Sequence, residues 1–268
     1  MTSPDSAPPP HYLSLPGART VTTQAVRAAG HALDDALHQQ SMICLTADPG
    51  VGKTFALHVL CEQRPSLPTL RLLQRPQSRP DDLRHNLHHA LNLPGDAPHD
   101  AGICDDYLRH ALAHTPRLLA VDEAHQLSAS CIEYLRYLHD DPAPQVTILL
   151  LASRPRLRAL RSQPTLLSRV TTWHHMEPLD ADEVLTVLPA FHPLWHNTPS
   201  HVLARLDDMW AHGNMRRWAA LTHQLQAHQR RHPDHPPEPA TLLRRLDPRL
   251  ALTHDLNAFQ YRTGRDLP

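Results

Sequence analysis

The stretch TADPGVGKT at residues 46–54 contains Lys53, the only lysine among the 26 Lys and Arg residues of this 268-residue chain. A planar guanidinium is a poor substitute for a compact ammonium where a pocket is tight, so a single retained lysine indicates such a pocket. The spacing fits A/G-x-x-x-x-G-K-S/T, the pattern of a phosphate-binding loop. Its residues are Ala47, Asp48, Pro49, Gly50, Val51, Gly52, Lys53 and Thr54.

The flanks of this loop have the required context. The apolar run at 42–46 predicts a buried strand, and apolar residues at helical spacing over 53–63 predict a helix. We therefore expect backbone N–H groups at the helix start to bind the phosphates of ATP. Lys53 is expected to reach the β- and γ-phosphate oxygens, and Thr54 to ligate Mg²⁺. Ala47 replaces the commoner first glycine, which is acceptable if its φ is negative.

Strand and helix patterns alternate through the middle of the chain. Strands are predicted at 42–46, 69–73, 117–121, 145–152 and 170–177. Helices are predicted at 21–40, 53–63, 81–92, 103–114, 128–139 and 155–162. Such alternation predicts an α/β fold with a doubly wound, parallel, five-stranded sheet.

Polar residues follow two of these strands. Asp122 and Glu123 end the run RLLAVDE, at the sheet edge where ligands of such folds bind. Asp122 is expected to hold Mg²⁺ through water, and Glu123 to polarise the water that attacks the γ-phosphate. Ser153 ends the next strand, where it either orients water beside that phosphate or simply leads into a proline turn. The letters DEAH also occur in helicases, but those need two such lobes and only one fits here.

Composition limits the remaining classes. The net charge is −1, so no overall field draws the chain to nucleic acid or membrane. Four scattered cysteines are typical of buried apolar groups in a reducing compartment. No leader or apolar run of membrane-spanning length occurs, so we expect a cytoplasmic protein.

Proline content marks the ends of the chain. Residues 1–20 are expected to be a disordered, Pro-rich segment, and 232–268 a Pro-rich linker with a short helical tail. The nucleotide-binding core is then 21–178, followed by a helical region at 179–231.

The loop at 47–54, AVDEAH, Ser153, SRV and GNMRR, in this order, resemble the AAA+ ATPases. The resemblance implies that 179–231 form a helical lid and that Arg169 is an arginine finger acting on a neighbouring subunit's nucleotide. It implies Ser153 as a first sensor, and Arg216, with Arg217 as substitute, as a second sensor. A finger acting in trans implies an oligomer, as a ring or helical filament.

More narrowly, PGVGKT, VDEAHQLS and LLSRV resemble the DNA-transposition ATPases, such as the phage Mu B protein and the TnsC and TniB target-selection proteins. That branch implies sequence-independent binding of double-stranded DNA and a DDE-type transposase as partner. Two arginine clusters fit a cationic track for DNA: Arg71, Arg75, Arg79 and Arg84, then Arg154, Arg156, Arg158 and Arg161. We expect Arg75, Arg79, Arg156 and Arg158 to contact phosphates. An ExeA-like or defence-associated ATPase without DNA loading, a nucleotide-switched scaffold, and solvated surface arginines remain the alternatives.

Overall fold

A computed structural model describes residues 15–73, 78–113, 115–143 and 145–233, without the side chains of Leu73, Arg156 and Ala159. The chain divides into two compact units. The first spans Thr22–Pro178, and the second joins the chain from Leu179 onward to the segment that ends at Val21.

The first unit is built on a sheet whose neighbouring strands all run parallel. Its strands are β1 (Met42–Ala47), β2 (Thr69–Leu73), β3 (Arg117–Asp122), β4 (Val146–Ser153) and β5 (Val170–His175). They lie in the order β2-β3-β4-β1-β5. The predicted α/β class with a five-stranded, doubly wound parallel sheet is confirmed.

Helices connect the strands. In the first unit they are α1 (Gln24–Gln39), α2 (Lys53–Glu62), α3 (Pro80–Ala90), α4 (Ala101–Leu112), α5 (Ala129–Asp140), α6 (Leu157–Arg161) and α7 (Pro164–Leu167). One prediction needs correction: the helix expected over 155–162 starts with a 3-10 turn and is followed by a separate short helix. Pro164 explains the break, because proline supplies no backbone donor and begins helices more readily than it continues them.

The sheet is buried on both faces. Met42 and Cys44 of β1 pack into one apolar cluster, and Ile43 and Leu45 pack into another. Successive side chains of a strand point to opposite faces, so this alternation requires cover on both sides. Residues of α3, α4 and α5 complete the first cluster, and residues of α1 and α2 complete the second.

The second unit is helical and has its own core. Its helices are α8 (Ala181–Phe191), α9 (Ser200–Leu206) and α10 (Met215–Arg231), with a turn of π-helix at Asp207–Ala211. The rings of Trp195 and Trp218 meet edge to face with centroids 5.2 Å apart. The Trp195 indole N–H donates to Thr222 Oγ1 at 3.0 Å, so the polar group of this buried ring has a hydrogen-bond partner.

Residues 15–20 correct part of an expectation, because they were assigned to a disordered N-terminal segment. Leu15 is buried in the core of the helical unit. The backbone N–H of Arg19 donates to Phe191 O at 2.8 Å, and Gln226 Nε2 donates to Pro16 O at 2.8 Å. A Pro-rich composition did not predict this because the contacts that hold the segment come from residues far along the chain, such as Phe191, His192 and Gln226. Residues 1–14 and 234–268, which contain the other expected tail elements, lie outside the described residues.

All four cysteines are free. Burial raises the pKa of the Cys44 thiol to about 12, which suits a packed apolar role. Among the helices that the structure describes, none has both the length and the apolar character to span a bilayer.

Candidate functional site

The loop between β1 and α2 has the backbone conformation that its glycines permit. Gly50 and Gly52 have φ values of 92° and 120°, in the region that residues with a side chain rarely occupy. Ala47 is fully buried at the end of β1, and its φ is not positive, so the alanine fits where glycine is more usual. Helix α2 then begins at Lys53 with the backbone N–H of Ala56 donating to Gly52 O at 2.7 Å.

Lys53 is held against this loop. Its side-chain ammonium donates to the Ala47 carbonyl at 3.2 Å, and the residue is only 8% exposed. A buried ammonium is costly unless oxygen atoms surround it, so the loop is shaped to receive a cation at this point. The ammonium thus lies at the start of α2, where backbone N–H groups and a cation together favour an anion.

Thr54 connects the loop to the acidic end of β3. Its hydroxyl donates to Asp122 Oδ2 at 2.9 Å, across 68 positions of sequence. Asp122 is 6% exposed, and its other carboxylate oxygen accepts the backbone N–H of Glu123 at 2.9 Å. The sheet brings these residues together because parallel strands present their carboxyl ends at one edge.

These donors suit Mg²⁺. A hydroxyl and a carboxylate oxygen at hydrogen-bonding distance are hard ligands of the kind that this ion prefers, with phosphate oxygens and water completing the set. In the described part of the chain, no cluster of three or more His, Cys, Asp or Glu residues forms an all-protein metal site. The residues present therefore fit a metal that binds together with a nucleotide.

Glu123 follows Asp122 in a left-handed backbone conformation, with φ of 53°. Its carboxylate is 42% exposed, and Oε2 lies 3.2 Å from the buried Nε2 of His125. Ser153 lies beside the loop because the register of β1 and β4 pairs Ala47 with Ser153. The backbone N–H of Ser153 donates to His125 Nδ1 at 3.4 Å. The expected base and sensor positions thus meet through a histidine that sequence reasoning missed, although it is the H of DEAH.

Arg169 lies at the other edge of the sheet. It precedes Val170, which pairs with Met42 at the start of β1, whereas the phosphate loop follows Ala47 at the end. The intervening strand is about 16 Å long at ~3.3 Å per residue, so Arg169 is remote from the loop of its own subunit.

The guanidinium of Arg169 is held by Asp140 at the end of α5. Nε and Nη2 donate to the two carboxylate oxygens at 2.7 and 3.0 Å. This pairing with Arg169 lowers the pKa of Asp140 to about 2. Asp140 was not predicted, since nothing in the letters LHD distinguishes it from a solvated acid.

In the helical unit, the two arginines expected as sensors differ in their contacts. Asn214 caps α10 by accepting the backbone N–H groups of Arg216 and Arg217 at 3.1 and 3.3 Å. The Arg217 guanidinium donates to Trp210 O at 2.5 Å, and so closes the π-helical turn. Both side chains are exposed. The contact with Trp210 gives Arg217 a structural role.

Of the arginines expected to contact DNA, the structure describes the side chains of some and not of others. Arg79 and Arg158 are exposed, Arg75 lies outside the described residues, and so does the side chain of Arg156. Arg84 corrects the cluster: its side chain is 14% exposed and pairs with Asp105 at 2.8 Å. That bidentate pair commits its donors to the protein.

Comparisons with known proteins agree with this geometry. Residues 35–160 match a family described as AAA domain. No curated protein sequence matches the chain. Among solved structures, Cdc6p from Pyrobaculum aerophilum is similar, with a TM-score of 0.66 and 14% identity over 82% of this chain and 65% of that one.

Two structures from Aeropyrum pernix are also similar. The ORC2 protein in its ADPNP-ADP complexes gives a TM-score of 0.60 at 15% identity, covering 94% of this chain and 68% of that one. The ORC1 protein in complex with DNA gives 0.58 at 15% identity, covering 86% and 64%. The chain therefore spans less than two thirds of the Cdc6p and ORC1 chains. Its fold is that of the AAA+ P-loop NTPases.

Proposed function

We propose that this chain is an ATPase that binds ATP with Mg²⁺, oligomerises on DNA and directs a transposase to target sites. The observation that carries the ATPase part is the 2.9 Å hydrogen bond between Thr54 and Asp122. It joins the lysine-bearing loop to the acidic strand end, as a site for a nucleotide and its metal requires.

Each residue of the loop has a separate task in binding. The backbone N–H groups from Gly50 to Thr54 and the start of α2 face the phosphates, with the partial positive charge of the helix behind them. Lys53 exchanges its contact with Ala47 O for phosphate oxygens. Thr54 and Asp122 would hold Mg²⁺, and this ion would supply positive charge to the phosphate oxygens when it is bound.

Glu123 is the proposed general base. The oxygen of a water molecule attacks the γ-phosphorus, Glu123 accepts the proton, and the bond to the β–γ bridging oxygen breaks to release ADP. Ser153, beside the loop at the end of β4, orients this water or contacts the γ-phosphate. The exposure of the Glu123 carboxylate allows water to reach it.

Arg169 is proposed to act on the nucleotide of a neighbouring subunit, where its guanidinium would exchange the contacts with Asp140 for phosphate oxygens. Its position at the opposite sheet edge from the loop supports a role in trans, because it is too far away to serve its own site. A head-to-tail interface that joins these two edges repeats from subunit to subunit and produces a ring or a filament. Arg216, in the helical region proposed as a lid, is proposed as the second sensor.

The hydrolytic role is tested with one chemical change at two positions. Glu123→Gln should bind ATP as the wild-type protein does but hydrolyse it at least ~100-fold more slowly, since the base is lost. Glu62→Gln makes the same change at an exposed carboxylate of α2 and should leave both properties unchanged. Hydrolysis by Glu123→Gln at the wild-type rate would reject Glu123 as the base.

DNA binding is supported by two exposed arginines in segments that follow strands of the sheet. Arg79 precedes α3 in the segment after β2, and Arg158 lies in α6 after β4. An oligomer repeats the two charges along its axis, where they contact phosphates irrespective of sequence. The similar fold of the ORC1 protein in complex with DNA also supports this part of the proposal.

Charge reversal tests this surface. Arg79→Glu and Arg158→Glu should weaken binding to any duplex equally, and each should reduce the log–log salt slope by roughly 0.9. Arg205→Glu, at an exposed site on α9, is the matched control and should not change the slope. An unchanged slope in the first two variants would mean that these arginines are only solvated.

The transposase is proposed to be of the DDE type and the compartment cytoplasmic. Support for the transposase comes from the sequence motifs VDEAHQLS and LLSRV, which occur here in a compact AAA+ arrangement. Co-purification of the ATP-bound protein with an integrase-type transposase encoded beside it tests the partnership. Absence of a complex, with ATPase activity intact, would favour an ATPase that does not load onto DNA.

A further inference from the structure

His125 is a buried side chain for which the proposed mechanism has given no task. It lies in the 3-10 turn Ala124–Gln126 that follows Glu123, and its side chain is only 3% exposed. Its ring nitrogens contact two elements of the site. Nε2 lies 3.2 Å from Glu123 Oε2, and Nδ1 lies 3.4 Å from the backbone nitrogen of Ser153.

The backbone contact determines which ring nitrogen carries the proton. A backbone N–H can only donate, so Nδ1 must present its lone pair to Ser153. A neutral imidazole then has its hydrogen on Nε2, which faces the Glu123 carboxylate. The ring therefore accepts from the end of β4 and can donate from Nε2 to the proposed base.

The turn that carries the ring is itself held in place. Gln126 N–H donates to Glu123 O at 2.8 Å, and Leu127 N–H donates to Ala124 O at 3.1 Å. The Glu123 side chain, in contrast, is 42% exposed. The imidazole Nε2 lies within ion-pairing distance of this carboxylate, at 3.2 Å from Oε2. Without the ring, this flexible side chain would sample several rotamers.

We propose that His125 is a positioning residue that fixes the Glu123 carboxylate relative to Ser153 at the end of β4. The inference rests on the proposed ATPase function. In this role His125, the last residue of DEAH, aligns the general base through a hydrogen bond and does not contact the nucleotide. Restoring rotamer freedom to a glutamate reduces the fraction in the reactive position, and we expect a loss in kcat of roughly tenfold.

Three variants distinguish the two contacts, because amide atoms of Gln and Asn match the two ring nitrogens in their number of bonds from Cβ. Nε2 of histidine is three bonds from Cβ, as is the amide nitrogen of glutamine; Nδ1 is two bonds away, as is the amide oxygen of asparagine. His125→Gln can therefore still donate to Glu123, whereas His125→Asn can only replace the contact with Ser153. His125→Ala removes both.

Steady-state ATP hydrolysis and nucleotide titration give the readout. His125→Ala and His125→Asn should lower kcat roughly tenfold with KM and ADP affinity unchanged, and His125→Gln should recover most of kcat. Equal or better recovery by Asn than by Gln would overturn the proposal. So would a change confined to KM, or a kcat that no variant alters.

A double-mutant cycle links the effect to the base. In the Glu123→Gln background, His125→Ala should cause no further loss, because the carboxylate that the ring positions is already gone. A further tenfold loss there would show that His125 acts elsewhere and would overturn the inference. Thermal unfolding identifies a misfolded alanine variant, in which case the comparison of Gln with Asn decides.

Different results would reject the ATPase function and the role of His125. An inactive wild-type protein, or a Glu123→Gln variant with full activity, would defeat the proposed function. An active wild type, an inactive Glu123→Gln variant and a fully active His125→Ala variant would defeat only the role of His125.

Discussion

Asp140→Asn is expected to lower stability by an amount that depends on pH. Arg169 donates to Asp140 at 2.7 and 3.0 Å, and Arg136 donates to it at 2.8 Å. These contacts, with Arg169 the main cause, lower the Asp140 pKa from 3.8 to about 2. Without screening, such a difference corresponds to about 2.5 kcal/mol. The Asp140 side chain is 28% exposed, so solvent reduces the expected contribution to roughly 1 kcal/mol.

The direction with pH follows from the lowered pKa. Stability from Asp140 is fully present above its unfolded pKa, near 4, and is lost as the pH falls through the folded value, about 2. Asp140→Asn should therefore cost roughly 1 kcal/mol at pH 7 and about half of that at pH 3.

Urea denaturation of wild type, Asp140→Asn, Arg169→Ala and the double variant measures this contribution. The cycle isolates the pair from other effects of each substitution. A coupling free energy near zero at pH 7 would refute the reasoning. An equal coupling at pH 7 and pH 3 would show that the contribution is not ionic.

Two further predictions concern Lys53 and the buried ion pair between Arg84 of α3 and Asp105 of α4. Lys53→Arg should lose ATP binding almost as fully as Lys53→Ala, because the loop holds an 8%-exposed ammonium and a guanidinium is too wide; near-normal affinity in nucleotide titration would contradict this. Asp105→Ala should destabilise the fold by about 2–3 kcal/mol, because it leaves Arg84 largely buried without its bidentate partner, and removes the acceptor of the Tyr134 hydroxyl. Asp106→Ala, at a mostly exposed neighbour, is the control for that measurement and should change chemical denaturation by less than ~0.5 kcal/mol.

The sequence was informative where a short motif and a general rule of sheet geometry coincide. The loop pattern predicted the positions of Lys53 and Thr54, and the rule that parallel strands end at one edge predicted that Asp122 would lie near them. Continuous apolar runs, which alternate along the chain with helical patterns, predicted the five strands. Strands give such runs when both faces of the sheet are buried. These features depend on local pattern and on topology, which the letters carry directly.

What could not be predicted depends on side-chain partners distant in sequence. Whether Arg84 faces solvent or Asp105, and whether Arg169 meets Asp140, is decided by how α3, α4 and α5 pack. The position of His125 could not be predicted either, because it follows Glu123, whose backbone is left-handed, and it contacts Ser153 of β4. Leu15 and Pro16 were unpredictable because their contacts lie on α8 and α10, far along the chain.

The central claim is that ATP is hydrolysed at a site completed by two subunits. Mixing Glu123→Gln with Arg169→Ala tests it most directly, because each variant lacks a group that the other supplies. An Arg169→Ala subunit keeps its own Glu123, and a Glu123→Gln neighbour provides the arginine, whose loss costs about 10³–10⁵ in rate in related phosphoryl transfer.

The mixture should therefore regain part of the wild-type ATPase activity, and the recovery should rise with protein concentration. Only some interfaces have the productive pairing, so full recovery is not expected. If electron microscopy shows mixed oligomers and their activity stays at the level of either variant alone, Arg169 does not act in trans and the account is contradicted.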